Sequence, residues 1–461
     1  MPKNSWNDYS TTASANTDVH SVSIAEGMAP SDVNNALREI LVDTANFDQG
    51  NVTLTSALAV ASGGTGAATH TANNVLVGAG TGAVTSVAPS TSGNVLTSNG
   101  TVWQSTAAAA GAPGNNILIN GSCAIAQRGA LSAQGGTNVY TSVDRWELAD
   151  PAGGQARWNL AQGTSGGVSG KDLWLSATVS TAESAVAASE LNALRQKVEG
   201  NNAAGIINSS GQIAASTLSF DVKFDAHASS STSAPYAACV FIYAVDANYT
   251  FTSEFSIAAD NTWERISVSV PALAQAASNV DTSEGYRVGF MLYAGSTYHA
   301  TSGSWESGSN ALATSNQENL ADYAGNVFGV TNIQWNAGSG TDFEYEAVGT
   351  TRQKCLRYYE TTPKTTAYNV IGHGLTWDSG QAYGYVFFYP KRAAPTVTSN
   401  GNCPRGVVYA GTVGTTTSFA QSTTENIQIW YQGSSGLSAG AACVSRANNS
   451  TGDFLEFSAE L

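Results

Sequence analysis

Residues 62–105 read SGGTGAATHTANNVLVGAGTGAVTSVAPSTSGNVLTSNGTVWQS, and the segment repeats on itself. Thr71, Asn74, Val75, Leu76, Gly80 and Thr81 recur twenty residues later as Thr91, Asn94, Val95, Leu96, Gly100 and Thr101. Each copy is a short apolar strand followed by a Gly-Thr turn, almost without charge. Such a unit has too little apolar surface to bury a core alone, so its strands must pair with other copies or other chains. The segment predicts a fibrous β-shaft in an oligomer.

The rest of the chain carries the same sparseness of charge. Only 11% of its 461 residues are charged, against roughly 25% in ordinary soluble proteins. Hydroxyls and amides must supply solubility, which suits an extended assembly. A net charge of −15 argues against nucleic acid, whose phosphates need clustered Lys and Arg, and against anionic lipid. No apolar run spans a membrane or marks a secretory leader, which predicts assembly in a cytoplasm without membrane insertion. The five cysteines are scattered without disulfide or zinc spacing and read as small buried hydrophobes.

Four blocks follow along the chain: 1–50, 51–114, 115–350 and 351–461. In the first, Pro30-Ser31 opens a helix that Ser31 or Asp32 can cap. Val33, Leu37, Ile40, Thr44 and Phe47 have the 4-3-4-3 spacing of a short coiled-coil seam. Two heptads are marginal alone, so the seam predicts a parallel homotrimer. Ala107–Gly114 reads as a linker. From Asn115 alternation takes over: Leu218, Phe220, Val222 and Phe224 predict a half-buried strand, as do Ile266, Val268 and Val270, and Val288, Phe290 and Leu292. Asn120-Gly121 is a hairpin-type turn signal. A helix is expected around Glu183–Val198, burying Val186, Leu191, Leu194 and Val198. The block to about Val348 predicts a β-sandwich that folds without the shaft. In the last block Tyr383, Tyr385, Phe387 and Tyr389 share one strand face, and Leu455, Phe457, Ala459 and Leu461 another. The fold class is mostly β: a fibrous trimer with a short N-terminal helix, a repeat shaft, a jelly-roll sandwich and a smaller C-terminal β-domain.

Taken in order, these blocks resemble bacteriophage tail-fibre proteins. WNDYSTTASANTD and SDVNNALREI are similar to the module that joins such fibres to the tail, and NVLVGAGTGAVTSVAP and GNVLTSNGTVW to their shaft repeats. NNILINGSCAIAQRG, VDRWEL, LRQKVEG, NTWERISVSVP and AGSTYHATSGSWESG resemble a jelly-roll module like carbohydrate-binding modules of the galactose-binding type. FEYEAVGTTRQKCLRYYE resembles the junction that closes it, with Thr351-Arg352-Gln353-Lys354 where the family carries an acidic pair. KRAAPTVT and the final SAEL look like a terminal tip domain. The resemblance implies a homotrimer on a virion tail, attached to tail proteins through residues 1 to about 50, and contacting a host-cell glycan or protein through its distal domains. It leaves room for Ca²⁺ in the jelly roll, although no D-x-D-x-D loop marks one; no other cofactor or metal is expected.

Enzyme signatures are sparse. Gly163-Thr164-Ser165-Gly166-Gly167 satisfies G-x-S-x-G without the strand-turn-helix context of a nucleophile elbow. Gly78–Gly82 lacks the Lys of a phosphate loop, and the five histidines show no metal spacing. No catalytic residue is expected. A glycan depolymerase, which needs two flanking carboxylates, and a purely structural fibre or adaptor are the alternatives to receptor binding. Sugar binding needs aromatic faces beside amides or acids. Trp146 and Trp263 read as structural. Trp377 and Asp378, with His373 and Gln381 close in sequence, form the best loop constellation. Trp430-Tyr431 could line the same tip, and Trp305 in SGSWESGSN is the next candidate.

Overall fold

A computed structural model describes residues 3, 8–50, 58–62, 64–67, 69–91, 94–107, 116–151, 153–168, 171–208, 211–275, 280–338, 342–364, 367–401, 403–408, 411–420, 422–432, 437–448 and 450–461. The chain divides into two compact units, Met1–Ala108 and Ala109–Leu461. Most of the linker expected before residue 115 and the Gly/Ser stretch after Gln432 lie outside the described residues.

In the first unit helix α1 runs from Pro30 to Asp48. Its N-cap is Ala29, without a side-chain cap, and not Ser31 or Asp32. Pro30 sits at the first helical position, where its missing N–H costs nothing and its fixed φ suits the helix. Ala36 and Asp43 are the buried positions of α1. Asp43 accepts from the Tyr9 hydroxyl at 2.5 Å and lies 3.0 Å from His20 Nε2. Val33, Leu37, Ile40, Thr44 and Phe47 lie one residue round the helix from this face, and all five are exposed, Leu37 by 56%.

The two repeats fold alike, and each is more than one strand and a turn. Val75–Val77 pairs antiparallel with Thr85–Val87, and Asn94–Ser98 with Trp103–Ala107. Gly80 and Gly100, at equivalent places in the two turns, have φ of +63° and +87°, conformations that favour glycine. In each hairpin the leading Asn reaches across the ladder: Asn74 Nδ2 donates to Ser86 Oγ and Asn94 Nδ2 to Ser105 Oγ, both at 3.0 Å. Val75, Leu76, Val95 and Leu96 stay exposed.

The second unit joins a sandwich to a barrel. A six-stranded sheet has the spatial order Glu264–Val270, Ser216–Asp225, Val327–Ala337, Trp174–Thr181, Arg157–Gly163, Leu131–Gln134. A seven-stranded sheet has the order Ser304–Ser307, Tyr249–Ile257, Tyr236–Ala244, Glu284–Ala294, Leu191–Glu199, Trp146–Ala149, Val139–Tyr140. Both are antiparallel throughout. Between them lies one core that includes Trp146, Trp158, Phe220, Phe224, Phe290 and Trp335.

Three local expectations fail here for stated reasons. Leu191–Glu199 is a strand, not the end of a helix spanning Glu183–Val198. Its residues are good helix formers, but the segment lies between Glu284–Ala294 and Trp146–Ala149, and tertiary pairing overrides propensity. Leu194 and Val198 enter the sandwich core, whereas Leu191 and Ala193 enter a smaller cluster with Cys239, Phe241 and Met291. Ser216–Asp225 is buried from Ser216 to Phe224, not half-buried. Its polar residues are satisfied instead of solvated: Arg265 donates to Ser219 Oγ, and Asn332 to Asp221 Oδ2. Asn120-Gly121 makes a turn, but no hairpin strands flank it. Asn120 has φ +60° and its side chain ties Ile125 to Asp144, while a Cβ on Gly121 would collide with the Ile333 carbonyl.

Helix α2 (Val348–Leu356) and a three-stranded sheet of Tyr359–Thr361, Phe454–Ser458 and Thr396–Asn400 lead into a closed barrel. The barrel order is Val370–Thr376, Gln381–Phe387, Asn426–Gln432, Gly411–Ala420, Arg405–Val408, Ala442–Arg446, with the last strand pairing the first. Residues after Val348 also complete the sandwich electrostatically. Arg145, buried in the sandwich, pairs with Glu460, and Arg357 of the junction with buried Glu199. Lys354, at the end of Thr351–Lys354, pairs with Glu346. The five cysteines are free and buried. Burial pushes the Cys123 thiol up to about 12.

Candidate functional site: the aromatic outer face of the barrel

Alternation decides what the barrel shows to solvent. In Gln381–Phe387, Ala382, Gly384 and Val386 point inward, which turns Tyr383, Tyr385 and Phe387 outward. Tyr383 is paired across the sheet with Leu375 on one side and Trp430 on the other. Tyr385 is paired with His373 and Gln428 in the next row, and Gln428 Nε2 donates to the Tyr385 hydroxyl at 3.0 Å. An apolar and aromatic row, Leu375–Tyr383–Trp430, therefore lies beside a more polar one, His373–Tyr385–Gln428, on one outer face.

Trp377 extends the first row from the turn between Thr376 and Gln381. Its ring centroid lies 6.1 Å from that of Tyr383 and 6.0 Å from that of Trp430, with interplanar angles of 62° and 70°. Tyr383 and Trp430 are themselves 5.8 Å apart, and Tyr383 and Tyr385 6.0 Å. These are edge-to-face and tilted contacts of the kind aromatic quadrupoles favour. They hold Trp377 in place while 60% of it remains exposed. The strip continues to Phe387, 73% exposed.

Asp378 has a structural task in the same turn. Its Oδ1 accepts from the backbone N–H of Gly380 and of Gln381, both at 2.7 Å, and the backbone closes through Trp377 N–H to Gln381 O at 2.8 Å. This Asx-type turn sets the direction of Trp377. Among the described residues Asp378 Oδ2 has no hydrogen-bond partner, and the residue is exposed. Gln381 is exposed at the head of its strand, and His373 lies in the Tyr385 row rather than beside Trp377.

Tyr431 does not belong to this face. It follows Trp430 on the same strand, and adjacent strand residues point to opposite sides. Its ring lies inside the barrel, 1% exposed, with the hydroxyl donating to Ser445 Oγ at 2.6 Å. Glycines make the room: a Cβ on Gly406 would come within 2.9 Å of the ring, and one on Gly384 within 3.3 Å. Trp305 is also placed differently from the open loop expected. It lies on the edge strand Ser304–Ser307, packs on Phe251 at 5.7 Å and donates from Nε1 to the Pro271 carbonyl at 2.8 Å. Trp146 is fully buried, and Trp263 packs edge-on against Trp174 at 5.6 Å.

Of the five aromatic and acidic candidates, the structure thus brings together Trp377, Asp378 and Trp430, turns Tyr431 into the barrel, and places Trp305, half-buried, on an edge strand of the sandwich. It adds Tyr383, Tyr385 and Gln428. Their signal was present in the sequence as the alternation of Tyr383, Tyr385 and Phe387, but the pairing that sets Tyr383 against Trp430 is long-range.

No family model matches the chain, and no curated protein matches it. Among solved structures it is similar to the carbohydrate-binding module TmCBM61 in complex with β-1,4-galactotriose. That likeness has 9% identity and a TM-score of 0.23, and covers 48% of this chain and 99% of the other. A score of that size carries no argument about fold or ligand, so the site rests on its own residues. Among the described residues no group of three or more His, Cys, Asp or Glu could hold a metal ion, and no helix is long and apolar enough to cross a membrane.

Proposed function

We propose that the chain is a subunit of a trimeric bacteriophage tail fibre and that the outer face of its barrel binds a glycan on the host cell. The observation that carries the binding reading is the exposed Trp377 ring, held edge-on by Tyr383 and Trp430. An aromatic face offers the apolar side of a sugar ring a flat partner. Gln381 and Asp378 supply donors and acceptors for hydroxyls near it, and His373 does so in the adjoining Tyr385 row. Such a shallow site binds weakly alone, but linked copies raise avidity by roughly 10²–10⁴.

The trimer is supported by what the first unit leaves uncovered. The α1 seam and the apolar residues of both hairpins are exposed together in the single chain. Association along α1 buries the seam and leaves the Ala36–Asp43 face against its own segment. The double variant Leu37→Asp/Ile40→Asp is expected to convert trimer to monomer in native mass spectrometry, while the near-ultraviolet circular dichroism of the β-domains is unchanged. A wild-type chain that is monomeric at micromolar concentration would refute the trimer.

Residues 1 to about 50 serve attachment to the tail in this reading. Removing residues 1–29, which leaves the α1 seam in place, is expected to abolish incorporation into virions and to leave cell binding by the free trimer intact. Phe387 favours a second reading, in which the barrel face packs on another fibre chain and the protein is a structural adaptor. Binding of the purified protein to susceptible cells, and its loss on cells lacking surface polysaccharide, separates the two. An adaptor binds neither.

A further inference from the structure

The outward side of the seven-stranded sheet carries a second constellation, unrelated to the barrel. On the strand Leu191–Glu199, Arg195 is paired with Gly289, which is paired in turn with Phe241. In the adjacent row Lys197 is paired with Arg287, and Arg287 with Tyr243. Two cations directly opposite one another on a sheet face are destabilising unless something answers them. Glu147 and Glu284 answer in part. Arg195 Nε donates to Glu147 at 2.7 Å and Lys197 Nζ to the same carboxylate at 3.3 Å. Arg287 donates through Nε and one terminal nitrogen to Glu284 at 2.5 and 3.2 Å.

Each guanidinium is therefore engaged along one edge. Among the described residues, both terminal nitrogens of Arg195 and Nη1 of Arg287 have no hydrogen-bond partner. Both arginines line a cavity of about 170 Å³ whose walls include Tyr243, Tyr298, Phe241 and Asn310. Gly289, between Arg195 and Phe241 in the first row, lets both close over it: a Cβ there would come within 2.6 Å of the Phe241 ring and 2.9 Å of Arg195 Cβ. Lys197 is satisfied away from the cavity, by Glu147 and by the Leu461 carbonyl at 2.7 Å, so among the described residues the cavity wall carries two guanidiniums and no carboxylate, on a chain whose net charge is −15. Planar guanidinium edges are suited to a carboxylate, and the tyrosine walls to the ring that bears it.

We propose that this face binds an acidic saccharide, with the sugar carboxylate between the free edges of Arg195 and Arg287 and its ring against Tyr243 and Tyr298. The site is built from the sandwich alone and does not depend on the barrel face. Trp377→Ala leaves it intact, and failure of either reading leaves the other standing.

The test is titration calorimetry of the full-length protein with oligosaccharides that end in galacturonate, glucuronate or sialic acid, each paired with its neutral methyl ester. At least one acid is expected to bind ~10-fold or more tightly than its ester, with affinity falling as salt rises. Arg287→Gln should weaken that acid about tenfold. Asn310→Asp, an exposed and nearly isosteric change, should weaken it by repulsion, and neither variant should move the melting temperature by more than a degree or so. The proposal is overturned if no acid binds better than its ester, if both variants bind like wild type, or if a glutamate peptide of equal charge competes as well as the sugar.

Discussion

Glu460→Ala is expected to destabilise the Ala109–Leu461 unit by about 3–5 kcal/mol, the usual cost of removing one partner from a buried ion pair. The Glu460 side chain is only 4% exposed and answers two guanidiniums at once, Arg145 and, at 3.0 Å, Arg128. Neither arginine can turn to water. Arg145 is 1% exposed, lies over the Tyr358 ring at 3.5 Å and donates to the Lys197 carbonyl at 2.7 Å. Arg128 lies over the Tyr359 ring at 3.5 Å, and burial already pushes its guanidinium below the ordinary range. With an unfolding entropy of ~2.1 cal/mol/K per residue over ~350 residues, the melting temperature should fall by roughly 4–7 °C. Glu284→Ala is the control, because its partner Arg287 is partly solvated and such pairs contribute at most about 1 kcal/mol. Equal melting curves for the two variants would show that the C-terminal segment does not clamp the sandwich.

Trp377→Ala has the second large effect, on binding and not on stability. An aromatic anchor typically contributes at least about 2 kcal/mol, or some thirtyfold per site. With three linked sites the loss is amplified, so adsorption to cells should fall by two orders of magnitude or more. The ring makes no core contact, so the melting temperature should shift by less than a degree or so. Tyr431→Phe serves as the opposite case. It removes a buried hydroxyl that donates to Ser445, and should cost about 1 kcal/mol while leaving adsorption unchanged. A large fall in melting for Trp377→Ala with normal adsorption would place that ring against another chain.

What could be read from the residues divides along a physical line. Local periodicity located the repeats, the α1 segment and three of the sandwich strands, because strand alternation and turn glycines act within a few residues. The segment 183–198 could not be read in this way. Leu191, Leu194 and Val198 satisfy a helical stripe as well as they satisfy a two-faced strand, and only the pairing with Glu284–Ala294 decides. The site was half legible for the same reason. Trp377 and Asp378 stand out in a polar Gly-containing turn, and Trp430 follows an alternating run. The inward turn of Tyr431 depends on Gly384 and Gly406, which lie 47 and 25 positions away. Arg145 and Glu460 are 315 residues apart, and no local pattern announces their pairing.

Hydroxyl-radical footprinting of the full-length protein, read by mass spectrometry with and without polysaccharide purified from susceptible cells, tests the barrel-face account most directly. Trp377, Tyr383 and Trp430 should be protected together by the polysaccharide, with Phe387 protected less and buried Trp158 and Trp335 unreactive in both states. Saturating polysaccharide that leaves Trp377 and Tyr383 oxidised at their free rates would contradict the account.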